Sequence, residues 1–141
     1  MSKGANMRKE LSCGIIAYHK HADGLKFLVL KHGEGHWAFA KGHVEGQESE
    51  METAMRELRE ETGLIVKPDP NLRLVTNYEP KPGISKDVVY FCGEAKSMDI
   101  KLQAEEIQEG QWLLFDEAHS LITYPSDKEL LEEVYAYVLS L

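Results

Sequence analysis

Cysteine is scarce in this chain, basic residues are outnumbered, and long apolar runs are missing; each shortage removes a class of protein. Cys13 and Cys92 are the only two cysteines in 141 residues. They sit in apolar, strand-like segments without metal-ligand spacing, which leaves neither a disulfide framework nor a thiolate zinc cluster. Buried thiols in a reducing compartment are the expectation. No apolar stretch approaches the ~18 residues of a membrane-spanning helix, and the opening MSKGANMRKE carries no apolar signal core. A cytoplasmic protein without a membrane partner is therefore expected. Lys and Arg number 16 against 24 Asp and Glu, a net charge of −8. That balance argues against a nucleic-acid or anionic-membrane surface. It leaves room for a small anionic ligand held in a locally positive pocket.

What is present suits one domain over residues 1–141. Hydrophobic content of 43% and charged content of 28% are ordinary, and the length supports a core without staples. No repeat or linker divides the chain, and residues 1–10 are expected to form a flexible lead. Leu11 to His19 and Lys26 to His32 read as strands, with Asp23-Gly24 as the hairpin turn between them. Trp37 to Ala40 is short and extended. Leu72 to Tyr78, Val88 to Ala95 and Gln111 to Phe115 also read as strands, and Pro80, Pro82 and Gly83 as a loop. Ser49 followed by Glu52 is a capping-box start for a helix, and Gly63 suits the left-handed residue that ends it. Met51, Ala54, Met55 and Leu58 form its apolar stripe. A last helix begins after Pro125, with a capping pattern from Ser126 to Glu129 and an apolar face of Leu130, Leu131, Val134, Val138 and Leu141. A sheet sandwiched between helices follows. His19, His21 and His32 read as surface residues, and Trp37 and Trp112 as core.

Glu57, Glu60 and Glu61 fall at i, i+3 and i+4, so the helix gathers them on one face. That face lies roughly 115° from the apolar stripe and is expected to border a cleft. Like charges at this spacing destabilise a helix unless a cation sits between them. A hard divalent ion on oxygen ligands is the simplest cation, Mg²⁺ with Mn²⁺ as a substitute. Such an ion is the usual device for cleaving phosphoanhydrides. Gly42 lets the backbone approach closely and offers its carbonyl. Arg56 follows Glu48 by eight residues, about two turns, so the pair ties the preceding loop to the helix.

As a pattern, Gly42 to Leu64 is G-x5-E-x7-R-E-L-x-E-E-x-G-L. It resembles the Nudix box at each defining position: Gly42, Glu48, Arg56, Glu57, Leu58, Glu60, Glu61, Gly63 and Leu64. A bare E-x-x-E-E in an acidic chain is more often a solvated helix face, but nine constrained positions reverse that. The resemblance implies the Nudix fold, an α/β (α+β) domain with a mixed β-sheet sandwiched between α-helices. It implies metal ions bridging phosphate oxygens and an activated water attacking phosphorus. Gly42, Glu57, Glu60, Glu61 and Glu106 are the implied metal site, with Glu60 and Glu61 its principal ligands. Glu57 and Glu106 both stay open as the catalytic base.

The run His36-Trp37-Ala38-Phe39-Ala40-Lys41-Gly42-His43-Val44-Glu45 is similar to the H-W-x-x-x-K-G-H-x-E of asymmetrical diadenosine tetraphosphate hydrolases. The similarity continues through Tyr78, through Lys86 to Tyr90, and through Glu106 ahead of Trp112. It implies a small nucleotide substrate, diadenosine tetraphosphate, cleaved to ATP and AMP. His36, Lys41 and Lys86 would supply cations to the phosphates, Tyr78 and Tyr124 would stack adenine, and His43 would touch substrate. From the residues alone, Tyr78 also fits rim packing, Tyr124 a helix-entry staple and His43 a loop cap. Glu105 and Glu109 compete with Glu106. Other Nudix substrates, oxidised nucleoside triphosphates or 5′-triphosphate RNA ends, are the alternative. A non-catalytic nucleotide sensor is a third reading, but such a module would be expected to lose the glutamates kept here. Nothing in the sequence sets the oligomeric state.

Overall fold

The order along the chain is β1 (Arg8–His21), β2 (Gly24–His32), β3 (Trp37–Ala38), β4 (Ala40–His43), α1 (Glu50–Thr62), β5 (Leu74–Lys81), β6 (Ile84–Glu94), β7 (Ile107–Leu114), α2 (Phe115–Leu121) and α3 (Pro125–Leu139). The structure, a computed structural model, describes residues 7–141. Residues 1–6 of the expected flexible lead fall outside the described residues. Arg8 to Glu10 are strand, because β1 already pairs in parallel with β6 from Arg8 opposite Ile84.

β1 is the spine of the sheet. It runs antiparallel to β2 through a two-residue turn at Ala22-Asp23, antiparallel to β4, and parallel to β6. Gly24 lies already in β2 opposite His21, rather than in the turn as expected. The strand order is β3-β2-β1-β6-β5, with β4 added to β1 and β7 to β2. Helices cover both faces, so β1 is buried without interruption from Ser12 to Tyr18 rather than alternating. Cys13, Ile15 and Ala17 pack toward Ala54 and Leu58 of α1. Ile16 and Tyr18 point the other way, into a core closed by Ala118 of α2 and Leu130, Leu131 and Val134 of α3. Each fully buried Leu or Ile contributes about 1.5–3 kcal/mol to these two layers.

Several elements depart from the sequence pattern. α1 has its capping box, with Ser49 Oγ accepting from the Glu52 amide at 3.1 Å and Glu52 returning the bond at 2.8 Å. Gly63 ends it at φ 78. Its buried face, however, is Thr53, Ala54, Glu57, Leu58 and Glu61, while Met55 is exposed. The helix lies against β4, and the contact with Gly42 and Lys41 turns two acids inward at the expense of one methionine. The strand expected over Gln111 to Phe115 stops at Leu114, and Phe115 opens α2. α3 starts on Pro125 at its first position, a use proline suits well, and the Ser126 cap does not form. Leu141 lies past the helix and is exposed. β5 and β6 extend to a tight turn at Pro82-Gly83, where Lys81 opposes Ile84. β5 tolerates Pro80 because it is a sheet edge.

Candidate active site

Arg56 organises the acidic end of α1. Its Nε and Nη2 donate to the two oxygens of Glu48 at 2.7 and 3.0 Å, a bidentate fork. Nη1 donates to Glu57 at 2.9 Å and to Glu60 at 3.1 Å, and Nη2 also donates to the His43 carbonyl at 3.0 Å. The Arg56 fork, with the Glu45 amide, holds the Glu48 carboxyl down at about 2. The three motif glutamates then part company. Glu57 and Glu61 are 8% and 2% exposed, whereas Glu60 stands at the rim. Burial, then the charge of Glu57, pushes the Glu61 carboxyl up to about 8. Among the described residues its one donor is the Lys41 amide at 3.3 Å. Burial also raises Glu57, against the pull of Arg56.

A cleft of about 920 Å³ opens beside this cluster on the α3 side of the sheet. His36 enters it from the turn after β2, Lys41 from β4, Tyr78 from β5, Lys86 from β6 and Tyr124 from the start of α3. Tyr78 sits opposite Lys86 in the β5–β6 ladder, and the Lys86 Nζ lies 5.9 Å from its ring centre. Tyr78 and Tyr124 expose 43% and 50% of their surface, large rings left open on facing elements. Glu105 and Glu106 also border the cleft, and Glu109 does not. Of the three, Glu106 is the one whose charge bears on both Glu57 and Glu61. The α1 acids thus meet the cleft through Lys41 and Glu106, not along an open helix face.

Other assignments change in the structure. His36 does not arrive as a cation, because burial and then Lys41 lower its pKa; it presents a neutral imidazole. His32, expected at the surface, is partly buried in the cleft wall. It stacks flat on His36, with ring centres 4.8 Å apart and planes 5° apart. Its Nε2 donates to the Phe39 carbonyl at 3.0 Å, and burial drives its pKa down to about 4. His36 in turn leans on Tyr124 at 5.6 Å. The His43 ring does not line the cleft and sits 3.8 Å from Glu10; its carbonyl serves the site by receiving Arg56. Asp127, which sequence reading passed over as a first-turn helix acid, is buried in the cleft. Trp112 packs beneath the α1-side core and donates to the Met98 carbonyl at 2.9 Å.

Among the described residues no three His, Cys, Asp or Glu side chains converge as a closed ligand set. Arg56 draws Glu57 and Glu60 to itself, away from Glu61. The donor chemistry still fits a hard divalent cation: buried or near-buried carboxylates outnumber the single guanidinium, which Glu48 already engages. Gly42 belongs to the same cluster, since a Cβ there would land on the Glu57 carboxyl. Gly42→Ala is therefore expected to displace Glu57 and lower kcat roughly 10²-fold, the usual effect of a misplaced group, while the melting temperature stays close to wild type. Wild-type kcat in that variant would mean that the Glu57 position does not matter.

Comparison with known proteins gives three findings. The NUDIX domain pattern matches residues 11–134. The asymmetrical bis(5′-nucleosyl)-tetraphosphatase of Rattus norvegicus is 34% identical, over 92% of this chain and 95% of its own length. A crystal structure of a C. elegans Ap4A hydrolase binary complex superimposes with a TM-score of 0.87 at 27% identity, covering 94% of this chain and 99% of that one.

Proposed function

The chain belongs to the Nudix family, and on that premise we propose that it hydrolyses diadenosine tetraphosphate to ATP and AMP with Mg²⁺ or, in its place, Mn²⁺. It is a Nudix hydrolase similar over most of its length to asymmetrical bis(5′-nucleosyl)-tetraphosphatases. The observation that carries the finer reading is the cleft itself. The open rings of Tyr78 and Tyr124, Lys41, Lys86 and a neutral His36 share one cavity with Glu106, next to the buried Glu57 and Glu61.

Tyr78 and Tyr124 stack one adenine, an interaction worth about 1–3 kcal/mol per base. Lys41 and Lys86 take the phosphates as point charges. Burial, then Lys41, lowers the Lys86 pKa in the free protein, and an arriving polyphosphate opposes that shift. His36 donates a hydrogen bond without adding a charge, held flat by His32. Gly42, Glu57, Glu60, Glu61 and Glu106 would hold the divalent cation, which supplies electrophilic relief of the phosphate charge and makes water a better nucleophile. Glu57 orients the attacking water and takes its proton, with Glu106 as the second candidate for that step. The water oxygen bonds to phosphorus, the bridging oxygen leaves with the other product, and two nucleotides depart. The two buried free thiols suit a reducing cytoplasm. No helix among the described residues is long and apolar enough to cross a membrane.

The test is product analysis with Mg²⁺ on diadenosine tetraphosphate, 8-oxo-dGTP, ADP-ribose and a 5′-triphosphorylated RNA. ATP plus AMP from the first, with slow turnover of the rest, is the expected result. A nucleoside triphosphate preferred by about tenfold or more in kcat/KM, some 1.4 kcal/mol in transition-state binding, would replace this substrate with another.

A further inference from the structure

The hydrolysis proposed above needs Glu106 at a fixed place beside Glu57 and Glu61, yet Glu106 sits on an exposed turn at the cleft. The segment that follows it supplies the restraint. β2 and β7 pair Lys31 with Glu109 and His32 with Ile107, so Gln108 is skipped in the ladder. It is the extra residue of a β-bulge, a device that re-aims a side chain. Here the bulge aims the Gln108 amide back over the turn after β2, where Nε2 donates to the Gly33 carbonyl at 3.0 Å. A carbonyl only accepts, so the NH₂ end of the amide is the end that faces it.

Gly33 is thereby held at both of its backbone groups, because its own amide donates to the Glu106 carbonyl at 2.8 Å. The turn closes on itself beside that point. The His32 amide donates to the His36 carbonyl at 2.9 Å, and the Gly35 amide to the His32 carbonyl at 2.8 Å. On the other side the Gln103 carbonyl receives the Glu106 and Ile107 amides at 3.1 and 2.9 Å. The Gln103 amide in turn donates to the Glu61 carbonyl at 3.1 Å. Glu106 therefore hangs between the end of α1 and the turn that carries His36, and Gln108 closes the second attachment.

We propose that Gln108 is a positioning residue: its amide latches the Gly33 turn onto residues 106–108 and so fixes the Glu106 carboxylate relative to Glu57 and Glu61. The proposal rests on the hydrolysis reading for the role of Glu106, but not on which nucleotide is cleaved. Without the latch, Gly33 is free to leave the Glu106 carbonyl, and the carboxylate moves with its backbone. The lysines and tyrosines of the cleft stand on other elements, so kcat should fall further than KM rises.

Gln108→Met keeps the length of the side chain and removes the donor. It is expected to lower kcat about tenfold, between the few-fold worth of one exposed hydrogen bond and the roughly 10²-fold effect of a misplaced group. KM should change by less than about threefold, and the melting temperature should hold. Action through Glu106 is read by a double-mutant cycle: in a Glu106→Gln background, Gln108→Met should add almost no further loss. In metal-free protein the Gly33 amide should exchange with solvent about tenfold faster in Gln108→Met. The same fold loss in both backgrounds overturns the proposal, and so does an unchanged kcat or an unchanged Gly33 exchange rate. If the wild type leaves diadenosine tetraphosphate intact, that substrate reading fails by itself, and the cycle is run on whichever of the four compounds it cleaves. If it cleaves none, Mn²⁺ affinity by calorimetry replaces kcat in the same cycle, where additive or absent losses overturn the proposal.

Discussion

Glu61→Gln is expected to lose nearly all turnover and yet to melt higher than the wild type in chelator. The carboxyl is buried against β4 with one weak amide donor, and Glu57 and Glu106 add like charge. On the proposed metal site, a bound divalent cation draws on that anion. Its loss should lower kcat/KM roughly 10²–10⁴-fold, matching the several kcal/mol that a bound metal supplies to the transition state. Without metal the same anion is a burden. Its pKa is about 8 in the folded chain against 4.5 for an ordinary glutamate, so the folded state holds the proton more tightly than the unfolded one. Stability is therefore highest below pH 4.5 as far as this group is concerned, and it drains away as pH rises to about 8. At about 1.4 kcal/mol per pKa unit, the window is worth a few kcal/mol. Melting curves in EDTA between pH 5 and pH 9 should fall with pH in the wild type and run flatter in Glu61→Gln, with the widest gap at the alkaline end. Glu60→Gln, exposed and paired to Arg56, should share the loss of activity but not the gain in stability. A Glu61→Gln enzyme within about threefold of wild-type kcat/KM would place the metal elsewhere.

The divergence of Glu60 from Glu61 marks where sequence reading reaches its limit. Spacing puts three carboxylates on one side of α1, and capping at Ser49 and Gly63 sets the helix ends, because these are local effects of backbone geometry. Which side turns inward is decided by what the helix meets. The glycine of β4 makes room for the Glu57 carboxyl, and that contact rotates α1 until Met55 faces solvent. The parallel pairing of β1 with β6 is equally remote from any local signal, since it joins segments more than 70 residues apart. α2 is only seven residues long, without a side-chain cap at Leu114, and packing of Ala118 holds it. No hydrophobic period can emerge over two turns. In the cleft, the tyrosines and lysines were legible through a motif, whereas His32 and Asp127 look like an ordinary strand-end histidine and an ordinary first-turn acid. What sets them apart is burial in the cleft wall, which only the folded chain reveals.

Arg56→Ala is the second large effect, and here the loss should be in the fold. One guanidinium, 14% exposed, spans Glu48, Glu57, Glu60 and the His43 carbonyl. Removing it leaves three carboxylates facing one another across the β4–α1 connection, with no other Lys or Arg in ion-pair reach of Glu48, Glu57 or Glu60 among the described residues. Exposed pairs contribute under about 1 kcal/mol, and breaking a buried one costs about 3–5. A partly buried fork should fall between, so urea unfolding in EDTA is expected to show a loss of about 1–3 kcal/mol. Arg56→Lys should recover only part of it, since an ammonium cannot make the bidentate fork to Glu48 while reaching Glu57 and Glu60. Mg²⁺ gives the discriminating readout. If the repulsion is electrostatic and shared with the metal site, millimolar Mg²⁺ should stabilise Arg56→Ala by more than it stabilises the wild type. A loss that Mg²⁺ leaves untouched would make Arg56 a packing residue with no part in balancing those charges. On the proposed metal site, Arg56 is the group that holds Glu48, Glu57 and Glu60 beside one another before a cation binds, while Glu61 stands against β4 without it.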